Sequence, residues 1–253
     1  MNKEYLVFVD SGVGGISTLA VLLKQNKFNV LYFADNKYAP YGSLSRKQIQ
    51  TRLKTIISHL KTNTKPFGFV FACNTATTSS ISFIRKEFPG ETFIGTEPAI
   101  NLAFKLGYKN PLLVATPQTI KQIKSKKNLF CLSLEDFAKN IESFMTNKTV
   151  YNSYKILKDI LYIKRHVKGC DSLILGCTHY ALIKPIIEKY IQIPMFDGNN
   201  GVAREISRKF GSKARPNTNK ASVQFIFSKD SAPLKEIYKK ILNQILANQI
   251  NLC

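Results

Sequence analysis

Short apolar segments alternate with longer amphipathic segments along most of the chain. Runs rich in Val, Ile, Phe and Tyr predict β-strands at 5–10, 29–35, 67–72, 91–95, 111–115, 128–133, 171–176 and 221–228. Helical spacing of apolar residues predicts helices over 14–25, around 49–60, and over 234–249. Strands that are apolar throughout and separated by helices favour parallel sheets covered on both faces. The pattern therefore predicts an α/β fold.

Two of these predicted strands end in the same way. A small residue, a cysteine and two polar residues follow in turn, as Ala-Cys-Asn-Thr at 72–75 and Gly-Cys-Thr-His at 176–179. In open α/β sheets, the carboxyl ends of the strands line the ligand crevice. One buried cysteine is often only a small core residue, but its repetition favours a functional pair. Two pseudo-symmetric halves facing each other would bring Cys73 and Cys177 to opposite sides of one cleft.

Other predicted strand ends carry residues suited to ligand binding. The segment VDSGVGG at 9–15 places Asp10 and Ser11 before a glycine-rich turn into a helix, without the dinucleotide or P-loop spacing. Backbone N–H groups at such a turn can bind a carboxylate as readily as a phosphate. The segment APYGSLS at 39–45 offers Tyr41 and Gly42 as backbone and aromatic contacts. These residues alone predict a small anionic ligand at the crevice.

Composition narrows the class of protein. The chain has 253 residues, a net charge of +21 and five cysteines. It contains no C-x-x-C pair, no apolar run of the ~18 residues that a membrane span needs, and no signal-peptide pattern at its start. Free thiols in a reducing cytoplasm are therefore expected. Because the basic residues are spread along the whole chain, a diffusely basic surface is favoured over nucleic-acid binding.

Six motifs, taken together, resemble those of a known family. The segments DSGVGG, PYG, ACNTAT, TEPA, ATPQT and LGCTHY follow the order and spacing found in bacterial glutamate racemase. The resemblance runs from about residue 5 to about residue 205. It implies a cofactor-independent racemase that supplies D-glutamate for peptidoglycan. It also implies an active site in the cleft between two α/β lobes, predicted as 1–95 plus 206–253 and as 96–205.

The resemblance gives the paired cysteines a chemical role. Inversion at Cα requires removing a proton from one face and delivering one to the other, which two thiols can do in a single pass. By resemblance, Cys73 serves the D-glutamate face with Asp10, and Cys177 serves the L-glutamate face with His179. The groups expected to hold the substrate are Asp10, Ser11, Tyr41, Gly42, Asn74, Thr75, Thr178 and His179. No metal site is expected.

One position departs from the family pattern. The family carries a glutamate shortly after the strand near Cys131, and in the most natural alignment Lys139 occupies its place. Glu135 and Glu142 lie nearby in the sequence, and either one, or neither, could replace it. The remaining cysteines, Cys131, Cys170 and Cys253, match no catalytic motif. His59 and His166 are expected to be structural or exposed.

Two alternatives come from different classes. Aspartate racemase has a related motif, but it tends to carry an acid where this chain has His179, which favours glutamate. The high positive charge would also suit a nucleic-acid-binding or regulatory protein built on a racemase scaffold. Both cysteines retain their polar neighbours, however, so the sequence favours an active enzyme. Homodimers are common in the family, and a homodimer is the expected assembly.

Overall fold

The computed structural model describes residues 3–123, 129–214, 222–229 and 232–248. Cys253 and three ends of predicted elements, Asn128, Ala221 and Gln249, lie outside these residues. The strands among the described residues are β1 Tyr5–Asp10, β2 Asn29–Ala34, β3 Pro66–Phe71, β4 Phe93–Gly95, β5 Pro111–Ala115, β6 Phe130–Ser133, β7 Ser172–Leu175, β8 Met195–Phe196 and β9 Ser222–Phe227.

The helices begin shortly after most strands end, as the alternating sequence pattern predicts. They are α1 Ile16–Gln25, α2 Arg46–Asn63, α3 Asn74–Glu87, α4 Ile100–Lys105, α5 Pro117–Gln122, α6 Phe137–Thr146, α7 Val150–His166, α8 Thr178–Leu182, α9 Lys184–Glu188, α10 Asn199–Phe210 and α11 Ala232–Leu246. Short 3-10 helices occupy Asn36–Tyr38, Tyr41–Ser43 and Gly211–Lys213. Within the described ranges, no helix has both the length and the apolarity needed to cross a bilayer.

The strands form two parallel sheets, one in each lobe. The first has the order β4-β3-β1-β2-β9, and the second has the order β6-β5-β7-β8. Each pairing between described strands is parallel. The central strands β1, β5 and β7 are almost wholly buried between helices, which explains their unbroken apolar runs. The predicted α/β class, with two parallel sheets flanked by helices, is confirmed.

The chain returns to the first sheet near its end. Strand β9 pairs with β2 at the edge of that sheet, with Phe225 and Phe227 buried and Gln224 and Ile226 exposed. This alternation is expected of an edge strand that has one covered face. Helix α11 then packs back over the sheet, with the Tyr238 ring 4.9 Å from Phe227 between centroids. The C-terminal residues are thereby brought close to the first lobe's core.

The predicted limits of the two lobes stay a prediction, and they can be compared with the elements of the structure. The boundary expected between residues 205 and 206 falls inside α10. The end of that helix packs on the first lobe, since Phe210 lies 5.4 Å from Phe67 between ring centroids. The four strands of the second sheet all lie within 111–196.

Buried hydroxyl groups join the two lobes. The Thr75 hydroxyl of α3 lies 2.9 Å from the Thr116 hydroxyl and 3.0 Å from that of Thr119, at the start of α5. On the other side, Thr18 of α1 donates to Asn199 Oδ1 over 2.6 Å. Buried polar groups need such partners, so these contacts fix the relative position of the strand ends across the cleft.

Candidate active site

Cys73 stands at the carboxyl end of β3 and caps the N-terminus of α3. Its thiol accepts a hydrogen bond from the Ala76 backbone N–H over 3.4 Å, and the Ser11 hydroxyl lies 3.9 Å from the sulfur. Only 5% of the residue is exposed. Burial raises the pKa of the Cys73 thiol, and the nearby Asp10 and Cys177 raise it further. Cys73 is therefore protonated in the unliganded protein.

Cys177 holds the corresponding position after β7 in the second lobe. It precedes α8, and 5% of it is exposed. Its sulfur lies 3.8 Å from His179 Nδ1. The next residue, Thr178, donates to Asp10 over 3.4 Å, and the residue after Asp10, Ser11, lies 3.9 Å from the Cys73 sulfur. The structure thus brings the two predicted thiols together in one buried site.

His179 forms a charged pair behind Cys177. Its Nε2 lies 2.7 Å from Glu142 Oε2, and its side chain is almost fully buried. Burial lowers the pKa of His179, but hydrogen bonds to Cys177 and Glu142 outweigh burial and raise it well above its usual value. The imidazolium is therefore favoured, and it can donate one proton to Glu142 and present the other to Cys177.

Of the candidate acids, Glu142 is the one that contacts His179. Glu142 lies on α6, whereas Glu135 is exposed in the preceding segment and Lys139 is exposed on the same helix. The helical spacing explains this result, because Glu142 lies four residues after the buried Ala138, on the same face of α6. Glu142 thus provides the carboxylate beside His179, whereas Lys139 points outward from the same helix.

Asp10 lies at the carboxyl end of β1, near the residues that surround both thiols. It accepts hydrogen bonds from the Gly12 N–H over 2.8 Å and from the Thr178 hydroxyl over 3.4 Å. Burial raises the pKa of Asp10 to about 6, although His179 and the Gly12 N–H act in the opposite direction. Its bond to Thr178 crosses the cleft, so the same carboxylate contacts both lobes.

The glycine-rich turn after β1 packs directly against this site. A Cβ added to Gly14 would lie 2.6 Å from His179 Nδ1 and 2.7 Å from Thr178 Oγ1. The preceding residue, Val13, donates its N–H to Glu142 Oε2 over 2.9 Å. The glycines therefore allow the first lobe to approach the Cys177 loop, and one N–H group of the turn binds the protein's own Glu142 carboxylate.

The other predicted binding residues already contact groups of the protein itself. The Tyr41 hydroxyl donates to the buried Asp35 over 2.6 Å, so this hydroxyl is engaged with the protein itself. Gly42 packs against Thr116 of the second lobe. The Asn74 amide donates to the Thr96 carbonyl over 3.2 Å, and the Thr75 hydroxyl is shared with two other threonines.

The other described cysteines and histidines lie away from this site. Cys131 is exposed and Cys170 is partly exposed, while the described cysteines are all unpaired. His59 and His166 are exposed on helices. Among the residues with described coordinates, no group of three or more His, Cys, Asp or Glu side chains could hold a metal ion.

Two tyrosines near the site were not predicted from the sequence. The Tyr32 hydroxyl donates to the Gly12 carbonyl over 2.8 Å, and the Tyr238 hydroxyl donates to Glu142 Oε1 over 3.3 Å. Each ring sits in an apolar run or helix, where an aromatic residue is usually read as core. Only the tertiary structure shows which group the hydroxyl of such a residue contacts.

The fold and the site together define a two-lobed α/β protein with two buried thiols at equivalent strand ends. Each thiol has acidic or basic groups beside it, so the site can hold and exchange protons at two separate positions. No protein-family model matches the chain. A glutamate racemase of Clostridium botulinum is 34% identical over 262 residues, covering 93% of this chain and 95% of that relative.

Solved structures agree with this relationship in fold. A glutamate racemase of Bacillus anthracis superposes with a TM-score of 0.77 at 20% identity, covering 96% of this chain and 95% of that one. One of Francisella tularensis, solved in complex with D-glutamate, has a TM-score of 0.72 at 22% identity over 96% and 94% of the two chains. The chain therefore belongs to the glutamate racemase family, and it is an isomerase.

Proposed function

We propose that the protein interconverts L- and D-glutamate by proton transfer between Cα and two thiols, without a cofactor. The observation that carries this proposal is the placement of Cys73 and Cys177 at equivalent strand ends in one buried site. The glutamate racemase of Francisella tularensis was solved with D-glutamate, which supports the same substrate here. The two thiols have different partners, which supports separate roles.

The two thiols are assigned different starting roles. Cys73 is the protonated thiol, because burial and Asp10 raise its pKa. Cys177, which lies beside the favoured imidazolium of His179, is assigned the role of the base that acts on L-glutamate. The Cys177 thiolate removes the Cα proton of L-glutamate and leaves an electron pair on Cα. The Cys73 thiol then delivers its proton to the opposite face, which gives D-glutamate.

The two thiols exchange states in each turnover. After one L-to-D conversion, Cys177 carries the proton and Cys73 is the thiolate, which is the form that attacks D-glutamate. Return to the starting state needs either a D-to-L conversion or proton exchange with water. Asp10 lies next to Cys73 with a pKa of about 6, so it can accept a proton near neutral pH and assist that exchange.

The substrate's charges are met by backbone and hydroxyl groups around the two sulfurs. The Ser11 and Thr178 hydroxyls lie next to Cys73 and Asp10, respectively. Backbone groups of Tyr41 and Gly42, rather than the engaged Tyr41 hydroxyl, are proposed to bind the substrate. Asn74 and Thr75, at the start of α3, complete the proposed set. Fixed donors of this kind stabilise the negative charge that develops as the Cα proton leaves.

The proposed role is the supply of D-glutamate for peptidoglycan synthesis in the cytoplasm. The proposed mechanism requires reduced cysteines, and the described cysteines are unpaired.

We also propose a homodimer without nucleic-acid binding. Helix α7 exposes apolar and aromatic side chains that could form a subunit contact, namely Val150, Tyr151, Tyr154, Leu161 and Tyr162. Light scattering of the purified protein tests the dimer, and DNA binding across a salt series tests the second point.

The function is tested by assaying racemisation of both glutamate enantiomers by circular dichroism, without added cofactor. We expect wild-type protein to be active, and Cys73→Ala and Cys177→Ala each to lose activity by a factor of about 1000 or more. Cys131→Ala is the matched control, because this exposed thiol lies outside the site. Folded wild-type protein that turns over aspartate but not glutamate, or neither, would contradict the proposal.

A further inference from the structure

Tyr238, on the C-terminal helix α11, contacts the acid–base pair behind Cys177. Its hydroxyl donates to Glu142 Oε1 over 3.3 Å. The other oxygen of Glu142 is already engaged, since Oε2 accepts from the Val13 N–H and lies 2.7 Å from His179 Nε2. The carboxylate is thus held from three sides, by the first lobe's turn, by His179 and by α11.

The position of Tyr238 is itself well fixed. The residue is fully buried, and its ring lies 4.9 Å from Phe227, 5.7 Å from Phe225 and 6.1 Å from Tyr32 between centroids. Burial raises its pKa well above the usual value, and Glu142 and Asp10 raise it further, so the hydroxyl remains a donor. Removing the hydroxyl alone would leave all of these ring contacts in place.

We propose that Tyr238 is a positioning residue that orients Glu142, and through Glu142 and His179 sets the reactivity of Cys177. This inference rests on the proposed two-thiol function and extends it to a residue outside the known motifs. It also gives α11 a role in the site, because the helix closes the far side of the Glu142 carboxylate. The structure shows no comparable contact from α11 to Cys73 among the described residues.

The direction of the reaction offers a way to separate positioning from a general structural effect. The two enantiomers have equal free energies in water, so any variant must lower kcat/KM by the same factor in both directions. Isotope effects do not share this constraint. Slowing the Cys177 step makes removal of the L-glutamate proton more rate-limiting. In the reverse direction, it makes proton delivery by Cys177 rate-limiting instead.

Tyr238→Phe is the first test, measured with Cα-deuterated L- and D-glutamate. We expect kcat/KM to fall about tenfold in both directions, because a hydrogen bond to a charged group is lost, in protein whose far-UV circular dichroism shows it to be folded. The primary isotope effect should rise with L-glutamate and fall with D-glutamate. Tyr108→Phe removes a hydroxyl from a tyrosine that packs on Phe196 in the second lobe, and should leave all of these values unchanged.

A double-mutant cycle makes the test independent of folding effects. In a Glu142→Ala background, Tyr238→Phe should change kcat/KM by less than about twofold, because the group through which it acts is gone. An equal loss in both backgrounds, or an unchanged pair of isotope effects, would overturn the inference. Since these comparisons use the activity of wild type as reference, inactive wild-type protein would instead contradict the proposed function.

Discussion

The surroundings of Cys73 and Cys177 differ although the two residues hold equivalent positions. Cys73 caps a fourteen-residue helix, accepts a backbone N–H, and lies near the Ser11 hydroxyl and the Asp10 carboxylate. Cys177 precedes a five-residue helix and lies against His179, which is paired with Glu142. The carboxylate near Cys73 favours the protonated thiol, whereas the group beside Cys177 is a favoured imidazolium.

This difference is what the proposed mechanism requires, since it assigns the two thiols opposite starting states. In two identical environments, the two thiols would have equal affinity for a single proton. Neither thiol would then be fixed as the one that removes the Cα proton or as the one that delivers a proton. In the proposed mechanism, the different neighbours give the two thiols different roles, so that the substrate meets a base on one face and an acid on the other. The comparison predicts that variants on the two sides have effects of different kind and size.

The largest of these effects is expected from the imidazole beside Cys177. His179→Gln removes the imidazole beside Cys177 and breaks the 2.7 Å pair with Glu142. We expect kcat/KM to fall about 100-fold or more in both directions, the range that loss of a positioned acid–base group produces. Steady-state racemisation assays check this. A loss smaller than fivefold in folded protein would mean that Cys177 is activated by some other group.

A smaller effect, on stability, is expected from Asp10. Burial raises its pKa from 3.8 to about 6, so between these values the folded protein holds a proton that the unfolded chain has released. Wild-type stability should therefore fall as pH rises from about 4 through about 6, by ~2 kcal/mol from this group. Asp10→Asn should lack this part of the pH dependence.

Urea unfolding of the wild type and Asp10→Asn at several pH values measures that difference directly. Asp197→Asn provides a control with a partly exposed carboxylate that pairs with Lys184. If Asp10→Asn and wild type show parallel pH profiles between pH 4 and 7, burial does not perturb Asp10, and its proposed role as a proton acceptor near neutral pH is wrong.

The smallest effect is expected from Ser11. Its hydroxyl lies 3.9 Å from the Cys73 sulfur, which is a long and weak contact. We expect Ser11→Ala to lower kcat/KM by about threefold, consistent with loss of one weak neutral hydrogen bond. The isotope effects should shift in the direction opposite to those of Tyr238→Phe, because this change slows the Cys73 step. A shift in the same direction would contradict the assignment of Ser11 to Cys73.

Much of the fold follows from the sequence for a simple physical reason. Strands buried on both faces must be apolar throughout, so β1, β3, β5 and β7 stand out as short unbroken apolar runs. The thiols follow from the same reasoning, because a residue just after such a strand lies at the crevice. The positions of Asp10, Cys73 and Cys177 could therefore be predicted together.

What sequence could not provide is the direction of individual side chains across the cleft. Choosing Glu142 over Glu135 requires the inward face of α6, which depends on how that helix packs beside α8. The sequence places Tyr41 in the loop after a strand that ends at the cleft, but its hydroxyl donates to Asp35. Tyr238 lies 96 residues after Glu142 in the sequence. It reaches Glu142 only because β9 returns the chain to the first sheet.

Labelling from heavy water tests the two-thiol account most directly. Wild-type protein is incubated with L-glutamate in D2O, and both enantiomers are separated at low conversion and analysed for deuterium at Cα. The account predicts that D-glutamate carries deuterium, while the recovered L-glutamate keeps its protium, because different thiols act on the two faces. Deuterium entering the recovered L-glutamate as fast as the product, or protium retained in the D-glutamate, would show that a single base serves both faces.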